Sequence, residues 1–232
     1  MQETNGHRVG GWQPLMLALD LPPLTVSGAQ IGEQKLAVWR DSHGQVHASD
    51  DRCPHRGMRL SLGFVREDML ACLYHGWRFD ESGHCRVIPA HPGVTPASTI
   101  CVPVFPVAEC MGLIWSRADG VATGAGPETE WRLPEGGSVT PVRTLTIKAS
   151  LKTVMARLGA TAGQSVRMLV TTGSGAVLPL LIVARPVGHD RTQCHLLLEG
   201  TVSQEDCEQA AFWAKDFRNT AERCDTGADY CV

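Results

Sequence analysis

CPHRG at Cys53–Gly57 and CLYHGW at Cys72–Trp77 decide how this chain is read. Together they supply Cys-x-His, a gap of sixteen residues, then Cys-x-x-His. The result is two thiolates and two imidazoles in mixed pairs, each pair on a short loop of its own. Gly57 and Gly76 lie just beyond the histidines. Glycine permits positive φ and close backbone approach, so main-chain N–H groups there can point at a bound anion.

Two metal centres use this inventory. A tetrahedral zinc site accepts thiolate and imidazole, but its ligands usually come as Cys-x2-4-Cys and His-x3-5-His, like beside like. Mixed pairs suit a [2Fe–2S] cluster in which two histidines replace two cysteines on one iron. Cys53 and Cys72 then hold the inner iron, and His55 and His75 the outer one. The cofactor expected is therefore a Rieske-type [2Fe–2S] cluster.

The surroundings carry a resemblance. DRCPHRGMRLSLGFV and LACLYHGWRFDESGHCRVIPA, with GWQPLMLALDL and LAVWRDSHGQVHASD before them and FPVAECMGLIWSRADG after, resemble the N-terminal domain of Rieske non-haem iron oxygenases. Respiratory Rieske proteins carry an additional cysteine in each loop, joined as a disulfide. This chain has Met58 or Leu60 and Leu73 or Tyr74 at the matching places, so the oxygenase branch is the better match.

Short apolar runs separated by turn signals, such as KLAVWR, DSHGQ and VHASD, predict a small antiparallel β domain up to about residue 120. VATGAGPETEWRLPEGG, poor in large apolar residues, is expected to be a linker over 121–138. From 139 to 232 the grammar changes. VRTLTIKAS reads as a strand, LKTVMARLGA as a short helix and SVRMLVTT as a strand. AVLPLLIVARPV and RTQCHLLLEGTV read as a hairpin around Gly188-His189-Asp190. Ser203 to Cys224 reads as a terminal helix, N-capped by Ser203, with Ala210, Trp213, Ala214, Phe217 and Ala221 on one packing face. The fold class expected is a mainly β Rieske domain, an antiparallel β sandwich with two cluster-binding loops, followed by a shortened α+β helix-grip-like domain.

The resemblance implies a mononuclear iron site in that second domain, signed Asp or Glu, two residues, His, four residues, His. This chain has no such motif, and no histidine lies between His91 and His189. A rebuilt site would have to draw on His189 and His195, with Asp190, Asp225 or Asp229. They are read here as ordinary sheet or surface residues, like His43 and His47. Mononuclear Fe(II) is not expected on this chain.

The function expected is a Rieske [2Fe–2S] electron-transfer component of an oxygenase system. It would pass electrons from a flavin or ferredoxin reductase to a partner subunit's mononuclear iron, so oxygen chemistry is expected on that catalytic oxygenase subunit. The resemblance also implies association, as a homo- or hetero-oligomer such as a trimeric ring. The alternative is a terminal oxygenase, hydroxylating or demethylating a small aromatic or amine substrate with a shortened catalytic domain. A third class is a relative that keeps the cluster for structure or redox sensing.

Composition agrees with a cytoplasmic protein. The formal charge of −3, mixed throughout, gives no argument for nucleic acid or an acidic membrane surface. MQETNGHRVGG lacks the apolar core of a signal peptide, and LMLALDLPPL is too short to span a bilayer. Nine cysteines, two of them in the loops and the rest scattered without paired spacing, are expected to be reduced and mostly buried.

Respiratory Rieske proteins have a serine hydroxyl after the second His-Gly, where this chain has Trp77. Without that hydrogen bond the midpoint potential is expected in the lower Rieske range, about −150 to +50 mV. A redox titration checks this, and a midpoint near the top of the range, about +300 mV, overturns it.

Overall fold

The computed structural model describes residues 11–119, 126–127, 138–160, 165–171, 175, 177–188, 190–200 and 202–225. Most of the expected linker, 121–138, lies outside the described residues, as do His189 and Asp229. Contacts divide the chain into two compact units. The first runs to Glu109 and resumes at Ile114; the second holds Cys110–Leu113 and the C-terminal part.

Among the described residues the first unit is built of short strands in three sheets, with Cys110 and Leu113 at the ends of its last two strands counted in the second. In chain order these are β1 (Gln13–Leu17), β2 (Val26–Ile31), β3 (Gln34–Arg40), β4 (Val46–Asp50), β5 (Phe64–Arg66) and β6 (Met69–Ala71). They are followed by β7 (Arg78–Phe79), β8 (Cys85–Val87), β9 (Val104–Phe105), β10 (Val107–Cys110) and β11 (Leu113–Ser116). Two four-stranded sheets run β2-β3-β4-β9 and β5-β6-β7-β8, and a three-stranded sheet runs β1-β11-β10. Strand β3 explains why one apolar run can serve two cores. Successive strand side chains point to opposite faces. Ala37 and Trp39 enter the cluster that holds Cys53 and Cys72, while Leu36 and Val38 pack with Leu15, Leu21, Ile31 and Ile114. All four are buried, and each large one stabilises the unit by about 1.5–3 kcal/mol.

The end of β3 is tied down by buried polar groups. Arg40 donates to the carbonyls of Leu21 (2.7 Å) and Gly44 (2.8 Å) and to Glu109 Oε2 (2.9 Å). Asp41 accepts from the backbone N–H groups of His43 and Gln45, each at 2.9 Å, closing the turn marked by DSHGQ. His47 Nε2 lies 2.9 Å from Asp41 Oδ2, and its ring stacks on Trp39 at 4.2 Å. Burial acts to raise the Asp41 carboxyl, but the hydrogen bonds from His47, Gln45 and His43 outweigh it and hold the group below its ordinary value.

A second turn leans on the first. Glu67 and Asp68 link β5 to β6 in a two-residue turn with φ of 53° and 55°, a left-handed conformation that is strained for residues other than glycine. Asp68 accepts from Ser42 N (2.7 Å) and Ser42 Oγ (3.0 Å), and Glu67 pairs with Arg78 Nη1 at 2.6 Å. Those contacts offset the strain.

Among the described residues the second unit is one antiparallel sheet with helices on one face. Its strands are β12 (Val139–Ile147), β13 (Ser165–Thr171), β14 (Val177–Pro186) and β15 (Thr192–Glu199), in the order β12-β15-β14-β13. The expected hairpin is present, with Pro186 opposite Thr192 and Val187 N donating to Arg191 O. Helix α1 (Leu151–Arg157) is capped by Ser150, whose Oγ accepts from Thr153 N at 3.2 Å. Helix α2 (Gln204–Asp225) presents the expected face: Ala210, Ala214 and Ala221 are buried against Leu145, Ile147, Ile182 and Leu196. Trp213 and Phe217 pack beside them, stacked on each other at 5.2 Å. Alanine at the contact lets the helix lie close to the sheet, and the two aromatic rings fill the space at its side. Ser203 is the expected cap: Asp206 N donates to Ser203 Oγ, and Ser203 N and Oγ donate to Asp206 Oδ2. At the other end, Lys148 N donates to Glu222 Oε1 at 3.0 Å. Among the described residues no helix is long and apolar enough to cross a membrane.

Loss of the reciprocal cap in Ser203→Ala is expected to cost about 1 kcal/mol, read as a lower urea midpoint of helix-sensitive circular dichroism. For Asp41 the sign follows from its lowered folded value. Its contribution is present above about pH 4, the ordinary carboxylate range, and is lost as pH falls through the lower folded value. Asp41→Asn is expected to flatten the acid limb of stability against pH. An acid limb as steep as in the parent would assign it to other carboxylates.

Candidate metal centre

The two loops leave the ends of β4 and β6 and close in the same way. In the first, Cys53 N donates to Met58 O and Gly57 N to Cys53 O, both at 2.8 Å. In the second, Cys72 N donates to Trp77 O and Gly76 N to Cys72 O, both at 2.9 Å. Each loop thus spans from a cysteine to the fifth residue beyond it, with a glycine at the fourth. Gly57 and Gly76 have φ of 73° and 67°. A Cβ at Gly57 would meet Arg52 Nε at 3.3 Å, and one at Gly76 would meet Pro89 Cγ at 3.1 Å. Conformation and close packing both select glycine here. The far side of the first loop is held by Asp51, a buried carboxylate accepting from Ser61 N (2.6 Å) and Ser61 Oγ (2.8 Å).

The donors separate into an inside pair and an outside pair. Cys53 and Cys72 are each 2% exposed, among Ala37, Trp39, Leu60, Leu70, Phe79 and Val102. Burial pushes the Cys53 thiol well up from its ordinary value, and the neighbouring Cys72 sulfur adds to the rise. The backbone N–H groups of His55 and Arg56 act in the opposite direction, hydrogen-bonding the Cys53 sulfur. A negative sulfur in this apolar setting therefore has amide donors aimed at it but no cationic side chain among its hydrogen-bond partners.

His55 and His75 are exposed at the tip, their ring centroids 4.6 Å apart and their planes crossed at 60°. Loss of hydration, then the nearby charges of His75 and Arg56, shift His55 below its ordinary value. Both imidazoles lie against aromatic rings. Trp77 stacks on His55 at 4.4 Å with 3° between planes, and Tyr74 lies 3.8 Å from His75. Arg52, Arg56 and Arg59 are exposed around the first loop. Arg78 instead is engaged with Glu67.

This donor set fits a [2Fe–2S] cluster: two neighbouring thiols inside, two crossed imidazoles outside, and amide N–H groups directed at sulfur. A single tetrahedral ion needs its donors gathered on one point. Among the described residues no group of three or more His, Cys, Asp and Glu side chains is so gathered. The four donors stand as two pairs.

Three other histidines, His195, His47 and His43, have polar neighbours in the fold. His195, on β15, is fully buried with Nδ1 at 2.9 Å from Thr144 Oγ1. His47 is held by Asp41, and His43 lies 3.8 Å from Asp68. Asp190 is exposed in the hairpin turn, 4.0 Å from Arg191. Cys85 and Cys194 are buried, as are the two loop cysteines, and Cys101 is exposed. Sequence reasoning missed the packing of Trp77 and Tyr74 on the imidazoles and the Asp51–Ser61 brace. The only hint in sequence was the position of both aromatic residues within the second loop.

The family model for the Rieske [2Fe-2S] domain matches residues 11–106. Oxidoreductase NdmD of Pseudomonas putida is 42% identical over 109 residues, covering 47% of this chain and 18% of that protein. The 4beta-methylsterol monooxygenase of Methylococcus capsulatus is 36% identical over 139 residues, covering 56% of this chain and 38% of that protein. The chain therefore spans well under half the length of these curated relatives. In fold it is similar to apo dicamba monooxygenase, with a TM-score of 0.71 at 19% identity, over 95% of this chain and 88% of that one. Residues 11–106 are thus a Rieske [2Fe–2S] domain, and over that part the chain is similar to these oxidoreductases and monooxygenases.

Proposed function

We propose that Cys53 and Cys72 hold the inner iron of the cluster and His55 and His75 the outer one. The observation that carries this is the division of donors, with both thiols buried side by side and both imidazoles at the surface. When bound, the cluster supplies reversible one-electron chemistry, with the imidazole ligands raising its potential above that of an all-cysteine centre. The protein's part is to exclude water from the thiol side, aim amide donors at sulfur and present two imidazole edges outward.

On this basis the chain is an electron-transfer component, taking electrons from a flavin or ferredoxin reductase and handing them to a partner subunit's mononuclear iron. Support comes from the absence of histidine between His91 and His189, where the resemblance implies an iron motif. The exposed arginines 52, 56 and 59 give the tip a positive rim suited to an acidic donor. The proposal includes a cytoplasmic setting, two domains over 1–120 and 139–232, and stable association through the second. The second reading, a terminal oxygenase, is favoured by the likeness to dicamba monooxygenase along 95% of the chain.

Iron and acid-labile sulfide per chain, with the EPR spectrum of the reduced protein, test the assignment. Two irons and two sulfides with a Rieske signal are expected. Cys72→Ser and His75→Ala are each expected to abolish that signal; visible bands persisting in either variant would refute the ligand set. A reproducible third iron, or product formed with a reductase and no partner, would select the oxygenase reading.

A further inference from the structure

Trp77 belongs to both loops at once. Its carbonyl accepts from Cys72 N and so closes the second loop. Its half-buried side chain packs against the apolar cluster containing both thiols. The indole then lies parallel to the imidazole of His55, on the first loop, at 4.4 Å. Two rings neighbour the His55 imidazole, the Trp77 indole lying parallel to it and the His75 imidazole crossed against it at 4.6 Å. Tyr74 differs in each respect: it neighbours His75 within its own loop, tilted by 33°, and is 57% exposed.

We propose that Trp77 is a positioning residue: its indole sets the plane of the His55 imidazole and clasps the two loops together, acting through an aromatic face rather than by filling space. The inference rests on the cluster assignment above. Stacking restricts rotation of His55 about its side chain and preserves the crossed angle to His75. A ligand ring already held in its bound orientation loses less freedom when it binds, which slows release of the metal.

The two outcomes separate in Trp77→Leu and Trp77→Phe. Leucine keeps the apolar contact without a π face, whereas phenylalanine restores one. In holoprotein challenged with a chelator, Trp77→Leu is expected to lose its Rieske EPR signal about threefold to tenfold faster than the parent. Its g-value spread is also expected to change, with Trp77→Phe staying close to the parent in both. Equal behaviour of the leucine and phenylalanine variants, whether both parent-like or both impaired, overturns the clasp. If the parent chain carries no Rieske signal, the cluster assignment fails and the clasp is judged separately in the metal-free chain by NMR. There the His55 ring protons, shielded by the indole, are expected to move downfield in Trp77→Leu and to stay shielded in Trp77→Phe. Unmoved resonances in the leucine variant overturn it on their own.

Discussion

Two thiols side by side in an apolar core are the constraint on which this domain turns. A thiolate there has lost its water, and burial together with its sulfur neighbour keeps Cys53 protonated well beyond the ordinary range. Such a site is made favourable by a cation that both sulfurs bind. The surrounding architecture serves that end. Ala37 and Trp39 of β3, Leu70 of β6 and Phe79 of β7 enclose the sulfurs, drawing on two different sheets. The loop amides then provide the polar contacts that the apolar wall does not.

Much of this could be read from the order of residues. Mixed Cys/His pairs with a glycine at a fixed offset from each cysteine specify two similar loops, because loop closure depends on local backbone geometry alone. The terminal helix was equally plain, since Ser203 with Asp206 and the Ala210–Ala214–Ala221 spacing are local signals. What escaped were contacts across sequence. The stack of Trp77 on His55 joins residues from different loops, and its parallel geometry depends on how β4 and β6 are brought together. Asp51 is likewise ambiguous in sequence: next to Asp50, nothing marks it as the one that turns inward to brace Ser61.

The second unit shows a similar limit. Its strands are apparent from β-branched and leucine-rich runs, but their order, β12-β15-β14-β13, is not. That order places His195 between Thr144 and Val183 on adjacent strands, fully buried and bonded to the threonine. A histidine that looks available in a list of residues is thereby committed to the sheet. The helix-facing side of the sheet is filled by Leu145, Ile182, Leu196 and the alanines of α2, which makes it a packed layer.

The two loops share one backbone frame, yet the histidine is the second residue beyond the cysteine in one and the third in the other. A single-residue offset on a common frame breaks what would otherwise be a local twofold relation. The two imidazoles consequently meet at 60° and face unlike neighbours, a half-buried indole for His55 and a solvent-facing phenol for His75. A docking molecule encounters a tip with a distinguishable left and right. The tip is thus asymmetric in shape before any charge is counted.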